Sequence, residues 1–257
     1  MTPPLVRVAA ERGGAWQRVH LEAPPGHLLS LAMVHALHEA IAEAGRRPAV
    51  KWLTVEGSGG QFSYGASIPE HVPATMPEVL TVTHALMRLV LDLPVATTAL
   101  VDGRCLGGGF ELALCCDAVL ATRTATLGLP EIALAAFPPV AAALLPVRIG
   151  ASRAHQAILG GDARPAVEWH DLGLVSLVPD GSTLEEAARR WFEDTLAPRS
   201  AMALAQATLA ARAVWRPAVE RALVANERRY LDQLLAHPDA EEGIRAWMEK
   251  RAPQWRE

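Results

Sequence analysis

Hydrophobic positions change their period several times along the chain, and each change predicts an element. From Val6 to Glu22 apolar and polar residues alternate loosely around Gly13-Gly14, the pattern of two strands joined as a hairpin. Ser30 then offers a side-chain cap to an amphipathic helix over Leu31 to Ala44, closed by Gly45. Ala49 to Val55 is a β-rich run ending in the turn Glu56-Gly57-Ser58-Gly59-Gly60, which opens a loop through Ser67. Thr75 to Leu91 returns to helical spacing, with Leu80, His84, Met87 and Leu91 on one side. Val95 to Val101 is a second β run, followed by Asp102-Gly103 and a glycine triplet. Phe110 to Cys116 suits a helix starting at those glycines, and Ala118 to Ala121 is again a strand.

Strands and helices thus alternate to about residue 178, the order of an α/β fold with crossover connections. After Thr183 strand signals stop, and Glu185 to Leu196, Ala201 to Val214, Ala218 to Leu235 and Glu241 to Lys250 all read as helices. Neither an internal repeat nor a low-complexity linker interrupts this order. At 257 residues and 51% hydrophobic, the chain can bury one sizeable core, with the helical tail as an appendage.

Charge and cysteine usage narrow the function classes. The net charge is −4, from 24 basic and 28 acidic residues, and the basic ones form no stripe of the kind nucleic-acid binding needs. Cys105, Cys115 and Cys116 are an odd set without a disulfide framework, which points to a reducing cytoplasm. Met1 to Val8 lacks the basic and apolar regions of a signal peptide. The long uncharged run Ile132 to Val147 is shorter than a membrane span of about 20 residues and contains Pro138, Pro139 and Pro146, so it reads as buried protein.

Three segments could carry chemistry. Gly107-Gly108-Gly109-Phe110-Glu111 places glycines before a helix, where unpaired N–H groups and the positive end of the helix dipole suit an oxyanion; a tight strand-to-helix turn explains the same glycines. No Gly-Lys-Ser/Thr follows and the G-x-G-x-x-G spacing is absent, which excludes the usual phosphate and dinucleotide loops. Glu111 sits in an apolar helix and Glu131 precedes the long uncharged run, both costly places for a charge. Such carboxylates serve acid/base chemistry, or are satisfied structurally by Arg104, Arg123 or backbone N–H groups, or face solvent. The third segment, Gln61 to Ile68, is by itself a loop of small residues. His35 and His38 share a helix face, but no neighbouring Cys or carboxylate completes a metal set, and no metal is expected. Trp191, Trp215, Trp247 and Trp255 fall in the tail, where core or subunit packing accounts for them.

Together, a glycine-bearing loop after an early strand, G-G-G-x-E at a helix start and Pro130-Glu131-Ile132 twenty positions after Glu111 resemble the enoyl-CoA hydratase, or crotonase, superfamily in order and spacing. The likeness runs from about Ala49 to Val178 and returns in Glu242-Gly243 and Glu249-Lys250-Arg251. It implies a crotonase-type spiral of repeated β-β-α units over residues 1–196, with a helical, oligomer-forming region over 197–257 and assembly as trimers or hexamers. It also implies an acyl-CoA thioester as substrate, with no cofactor besides the CoA it carries. By the same resemblance the N–H groups of Ala66 and Gly108 form an oxyanion hole, Glu111 and Glu131 are the acid/base pair, and Tyr64, Ser67 and Ile68 cradle the adenine end of CoA.

Departures from the family pattern refine the expectation. Tyr64-Gly65-Ala66-Ser67 stands where A-G-A-D is common, and Phe137-Pro138-Pro139-Val140-Ala141-Ala142 replaces a glycine-rich segment. Pro139 has no N–H to hold a water. These segments, with Glu70-His71 and Leu144-Leu145-Pro146, resemble the cyclohexa-1,5-diene-1-carbonyl-CoA hydratases, which implies a cyclic dienoyl thioester in an acyl pocket walled by Phe137 and Pro139. An isomerase, decarboxylase or thioester hydrolase shares the oxyanion hole, and a CoA-ester-binding protein without turnover shares the fold; retention of both glutamates favours hydration. A glycosidase also uses paired carboxylates, but 5% aromatic residues and the surrounding motifs give it little support.

Overall fold

The alternation at the N-terminus becomes a hairpin in the computed structural model, which describes residues 3–256. Strands β1 (Val6–Glu11) and β2 (Trp16–Leu21) pair antiparallel, Val8 opposite Val19. The chain then continues through α1 (Leu31–Gly45), β3 (Trp52–Gly57), α2 (Met76–Asp92), β4 (Ala96–Val101), β5 (Arg104–Leu106), α3 (Gly108–Cys115), β6 (Ala118–Ala121) and β7 (Thr126–Gly128). After these come α4 (Pro139–Ile149), α5 (Ala151–Gly160), β8 (Ala163–Pro165), α6 (Ala166–Asp171) and β9 (Ser176–Leu177). The tail is helical, with α7 (Leu184–Trp191), α8 (Ala201–Ala213), α9 (Arg216–Arg229) and α10 (Pro238–Met248). Helix α7 continues into a π turn at Phe192–Leu196, and α9 into another at Tyr230–Leu234.

Six strands form one sheet in the order β1-β2-β3-β4-β6-β9, parallel from β2 onward. Three short strands, β5, β7 and β8, form a second sheet. Two sheets followed by a helical C-terminal region make up the expected α/β architecture. The expected alternation to about residue 178 matches the last strand at Ser176–Leu177. The strands of the second sheet carry no legible period, because three residues are too few to show one.

Parallel strands covered on both faces are expected to be apolar throughout, and β2 is buried at every position. One face packs on α1, α2 and α3 through Leu37, Ile41, Leu86, Val90 and Phe110. The other face carries Trp16 and Trp52, whose ring centroids are 4.7 Å apart. Their indole N–H groups donate to Thr54 Oγ1 at 3.0 Å and Thr98 Oγ1 at 2.9 Å, one strand further each time. Ala188 of α7 and Phe192 cover this aromatic row, so the first helix of the tail completes the sheet's second layer. Among the described residues no helix is long and apolar enough to cross a membrane; the second half of the uncharged run forms the largely buried helix α4, whereas Ile132 and Val147 at its ends are exposed.

Arg212 locks the tail to the body. Only 3% exposed, it donates to Asp117 Oδ1 and Oδ2 at 2.8 and 2.7 Å and to the carbonyls of Leu91 and Leu93 at 2.9 and 2.7 Å. A planar fork satisfies a carboxylate and several carbonyls at once, which a lysine ammonium cannot do. Arg212→Met is therefore expected to destabilise the protein by about 3 kcal/mol in denaturant titration, with Arg212→Lys recovering less than half of the loss. An unchanged midpoint in Arg212→Met would show that the tail is held elsewhere.

Candidate active site

The loop after β3 and the turn before α3 are sewn together by their backbones. Phe62 and Ser63 donate to the Arg104 carbonyl at 3.1 and 3.0 Å, and Leu106 donates to the Ser63 carbonyl at 2.9 Å. Gly65 has φ of +95°, and a Cβ there would lie 2.7 Å from the Leu106 carbonyl oxygen. Gly107, at φ +50°, donates to the Gly128 carbonyl at 2.9 Å, tying the turn to β7. These two positions need glycine for conformation and space alike. Helix α3 then starts at Gly108, whose N–H has no acceptor one turn back within its own helix. A Cβ placed on Gly108 would lie 3.7 Å from the Ala66 nitrogen, so the two backbone segments meet side by side.

One turn into α3, Glu111 is 6% exposed. Neither Arg104 nor Arg123 satisfies it: Arg104 lies over the Tyr64 ring, 5.4 Å from its centroid, and Arg123 pairs with Asp180. Instead Glu111 Oε1 accepts the N–H groups of Val140 and Ala141 at 2.8 and 2.9 Å, the first turn of α4. An anion at a helix N-terminus is stabilised by both the free donors and the dipole. Burial raises the Glu111 carboxyl above its ordinary value, while those two donors and His84 pull it back.

Glu131 has the opposite surroundings. It lies in the 3-10 turn Pro130–Leu134, with Oε2 buried and without a protein partner among the described residues. A Cβ on Gly107 would lie 2.9 Å from Oε1, so the carboxyl lies against the glycine turn. Burial first, and the negative charge of Glu111 second, push this carboxyl up to about 8. Burial without a partner thus favours the protonated form of Glu131, whereas the two N–H groups at Glu111 favour its anion.

Both carboxyl groups face a cavity of about 520 Å³. Tyr64, Ala66, Ile68, Gly108, Phe137 and Pro139 line it as well. Ser67 does not; its carbonyl accepts from Glu70 N–H at 3.0 Å and lies 3.0 Å from His71 Nδ1. Sequence reasoning missed His84 and Tyr230, which also line the cavity. A histidine on the apolar stripe of α2 was a visible signal for the first. Tyr230 carried none, because a π turn after α9 brings its ring 5.4 Å from Phe137. The described residues contain no cluster of three or more potential metal ligands. His35 is exposed and His38 half-buried on α1.

The tail closes one end of the cavity. Ile244 and Trp247 of α10 line it, and α10 approaches the Pro130–Leu134 turn so closely that a Cβ on Gly243 would fall 2.2 Å from the Leu134 carbonyl oxygen. Glu242 anchors the residues that follow, accepting from Arg251 at 2.6 and 2.9 Å and from the Gln254 N–H at 2.8 Å.

Comparison with known proteins finds relatives that match nearly the whole chain. The family model described as enoyl-CoA hydratase/isomerase matches residues 13–257. The chain is 36% identical over 250 residues to the cyclohexa-1,5-dienecarbonyl-CoA hydratase of Thauera aromatica, covering 97% of this chain and 96% of that protein. The crystal structure of an enoyl-CoA hydratase from Mycobacterium avium subsp. paratuberculosis K-10 superimposes with a TM-score of 0.86 at 27% identity, covering 98% of this chain and 99% of the other. An enoyl-CoA hydratase from Bacillus anthracis gives 0.78 at 27% identity, with 98% of each chain covered.

The proton on Glu131 has a measurable consequence for stability. A carboxyl that keeps its proton to about pH 8 when folded, but releases it near its ordinary 4.5 when unfolded, weakens the fold progressively as pH rises through that window. Glu131→Gln removes the penalty. The variant is expected to unfold at least about 3 °C above the wild type at pH 8, with the gap closing towards pH 4.5. A gap independent of pH would place the proton elsewhere.

Proposed function

Because the chain belongs to the enoyl-CoA hydratase/isomerase family, we propose that it adds water to a conjugated double bond of an acyl-CoA thioester, with Glu111 and Glu131 as the acid/base pair. The observation that carries this reading is the contrast between the two carboxyl groups: one accepts two N–H groups at a helix N-terminus, the other is buried without a protein partner among the described residues, and both line one cavity with Ala66 and Gly108. Glu111 takes a proton from water as the oxygen bonds to the β carbon. The displaced electron pair moves to the thioester carbonyl oxygen, where the N–H groups of Ala66 and Gly108 meet the developing charge. Preorganised donors at such an oxygen are each worth about 3 kcal/mol of barrier. Glu131 then delivers its proton to the α carbon, and the proton on Glu111 restores the single proton of the pair.

Tyr64, Ser67 and Ile68 are proposed to hold the CoA portion; Ser67, off the cavity wall, would act from the mouth. No cofactor is needed besides the CoA of the substrate. Assembly as a trimer or hexamer is proposed from the family resemblance, and exposed Met202, Leu209 and Val214 on and beside α8 supply apolar surface for it. The division at residue 196 separates this region from the part of the chain that builds the sheets.

For the acyl group, we infer a cyclic conjugated dienoyl ester. The relative from Thauera aromatica supports this, as do Phe137, Pro138 and Pro139 together in the cavity wall. Prolines restrict that wall, and a flat ring loses less entropy in a preformed apolar slot than a linear chain does.

Two measurements test these readings. Glu111→Gln and Glu131→Gln are each expected to slow hydration at least about a hundredfold while thioester binding stays within a few-fold; full activity in either variant moves the acid/base role to another residue. Cyclohexa-1,5-diene-1-carbonyl-CoA is expected to exceed crotonyl-CoA in kcat/KM by about tenfold or more. Equal or better turnover of crotonyl-CoA would defeat the cyclic assignment and leave hydration standing.

A further inference from the structure

A water attacking from Glu111 needs more than one hydrogen-bond partner to fix its lone pair, and the nearest helix end has none to spare. Helix α4 begins at Pro139, which lacks an N–H. The N–H groups of Val140 and Ala141 are taken by Glu111 Oε1, and that of Ala142 by the Pro138 carbonyl at 2.9 Å. Backbone amides of this turn therefore cannot hold the water.

His84 stands where one is wanted. It is 1% exposed and lines the cavity together with Glu111. Its Nδ1 is 2.7 Å from Glu227 Oε1 on α9, and that same oxygen receives Arg88 Nη2 at 2.9 Å. A carboxylate can only accept, so the proton of a neutral ring sits on Nδ1 and the ring is held in one orientation. Among the described residues Nε2 has no hydrogen-bond partner, yet it is not sealed in the protein as Glu131 Oε2 is.

Resting on the hydratase reading, we propose that His84 is a third catalytic group, whose bare Nε2 accepts the second hydrogen of the water that Glu111 deprotonates. The water then donates one hydrogen to Glu111 and one to His84, which leaves an oxygen lone pair directed at the β carbon. The O–H bond towards Glu111 breaks as the C–O bond forms. The O–H bond towards His84 survives and becomes the hydroxyl of the product, still hydrogen-bonded to Nε2. His84 gains and loses no proton; Glu227 keeps the tautomer that makes Nε2 an acceptor.

The test compares wild type, His84→Leu, His84→Gln and His84→Ala on whichever enoyl-CoA the wild type hydrates fastest. His84→Leu is expected to lower kcat about a hundredfold with KM within about threefold, because the water loses a partner while no contact of the thioester is removed. His84→Gln, whose amide oxygen can accept, should retain at least about ten times the activity of His84→Leu. Added imidazole should restore His84→Ala several-fold, a rescue that a packing role does not give, and it decides the matter even where His84→Leu folds poorly. An active wild type whose His84→Leu variant keeps kcat within about threefold, or whose His84→Ala variant gains nothing from imidazole, overturns this proposal alone. A wild type inactive on every enoyl-CoA overturns the hydration reading and this proposal with it.

Discussion

A carboxylate inside an apolar core is tolerated only where donors meet it, and Glu111 is placed under that demand by the residues around it. Phe110, Leu112, Ala113 and Leu114 drive α3 into the core, carrying Glu111 with them. The N-terminus of α4 answers with two N–H groups at 2.8 and 2.9 Å. That fixes where α4 starts, and with it the position of Phe137-Pro138-Pro139 in the cavity wall. Burial first and the neighbouring Glu111 second then favour the protonated form of Glu131.

The rest of the site is built mainly from backbone. Gly65 and Gly107 allow the loop and the turn to approach each other closely, and bonds to Arg104, Ser63 and Gly128 hold them there. In the proposed oxyanion hole, donors held this way would be aimed before a ligand arrives, which is the condition for electrostatic stabilisation without reorganisation. Side-chain substitution cannot delete such amides; it can only displace them.

The helical tail is part of this construction. Helix α7 covers the tryptophan face of the large sheet, Arg212 of α8 satisfies carbonyls at the end of α2, and Asn226 of α9 donates to the Pro139 carbonyl at 2.9 Å. Glu227 and Tyr230, one and four residues beyond Asn226, reach His84 and Phe137. The sheets position the carboxyl groups and amides, and the tail closes the cavity around them.

Local patterns carried much of this into the amino-acid sequence. The hairpin, the parallel strands β3, β4 and β6, the helices α1 to α3 and those of the tail, and the glycine turn follow from hydrophobic period and turn chemistry, which act over a few residues; α4, α5, α6 and β9 were not read from it. Glu111 and Glu131 stood out because a charge in an apolar run is conspicuous wherever it lies. The three-residue strands of the second sheet were invisible, being shorter than the period that would reveal them. What satisfied Glu111 was open as well: arginines and backbone amides were equal candidates until α4 was placed against α3. The meeting of His84 with Glu227, 143 residues apart, and the exclusion of Ser67 from the cavity wall were decided by tertiary packing alone. Contacts between elements distant in sequence depend on how whole helices dock, and the direction of a side chain after a π turn depends on the turn itself. Neither leaves a mark in the local order of residues.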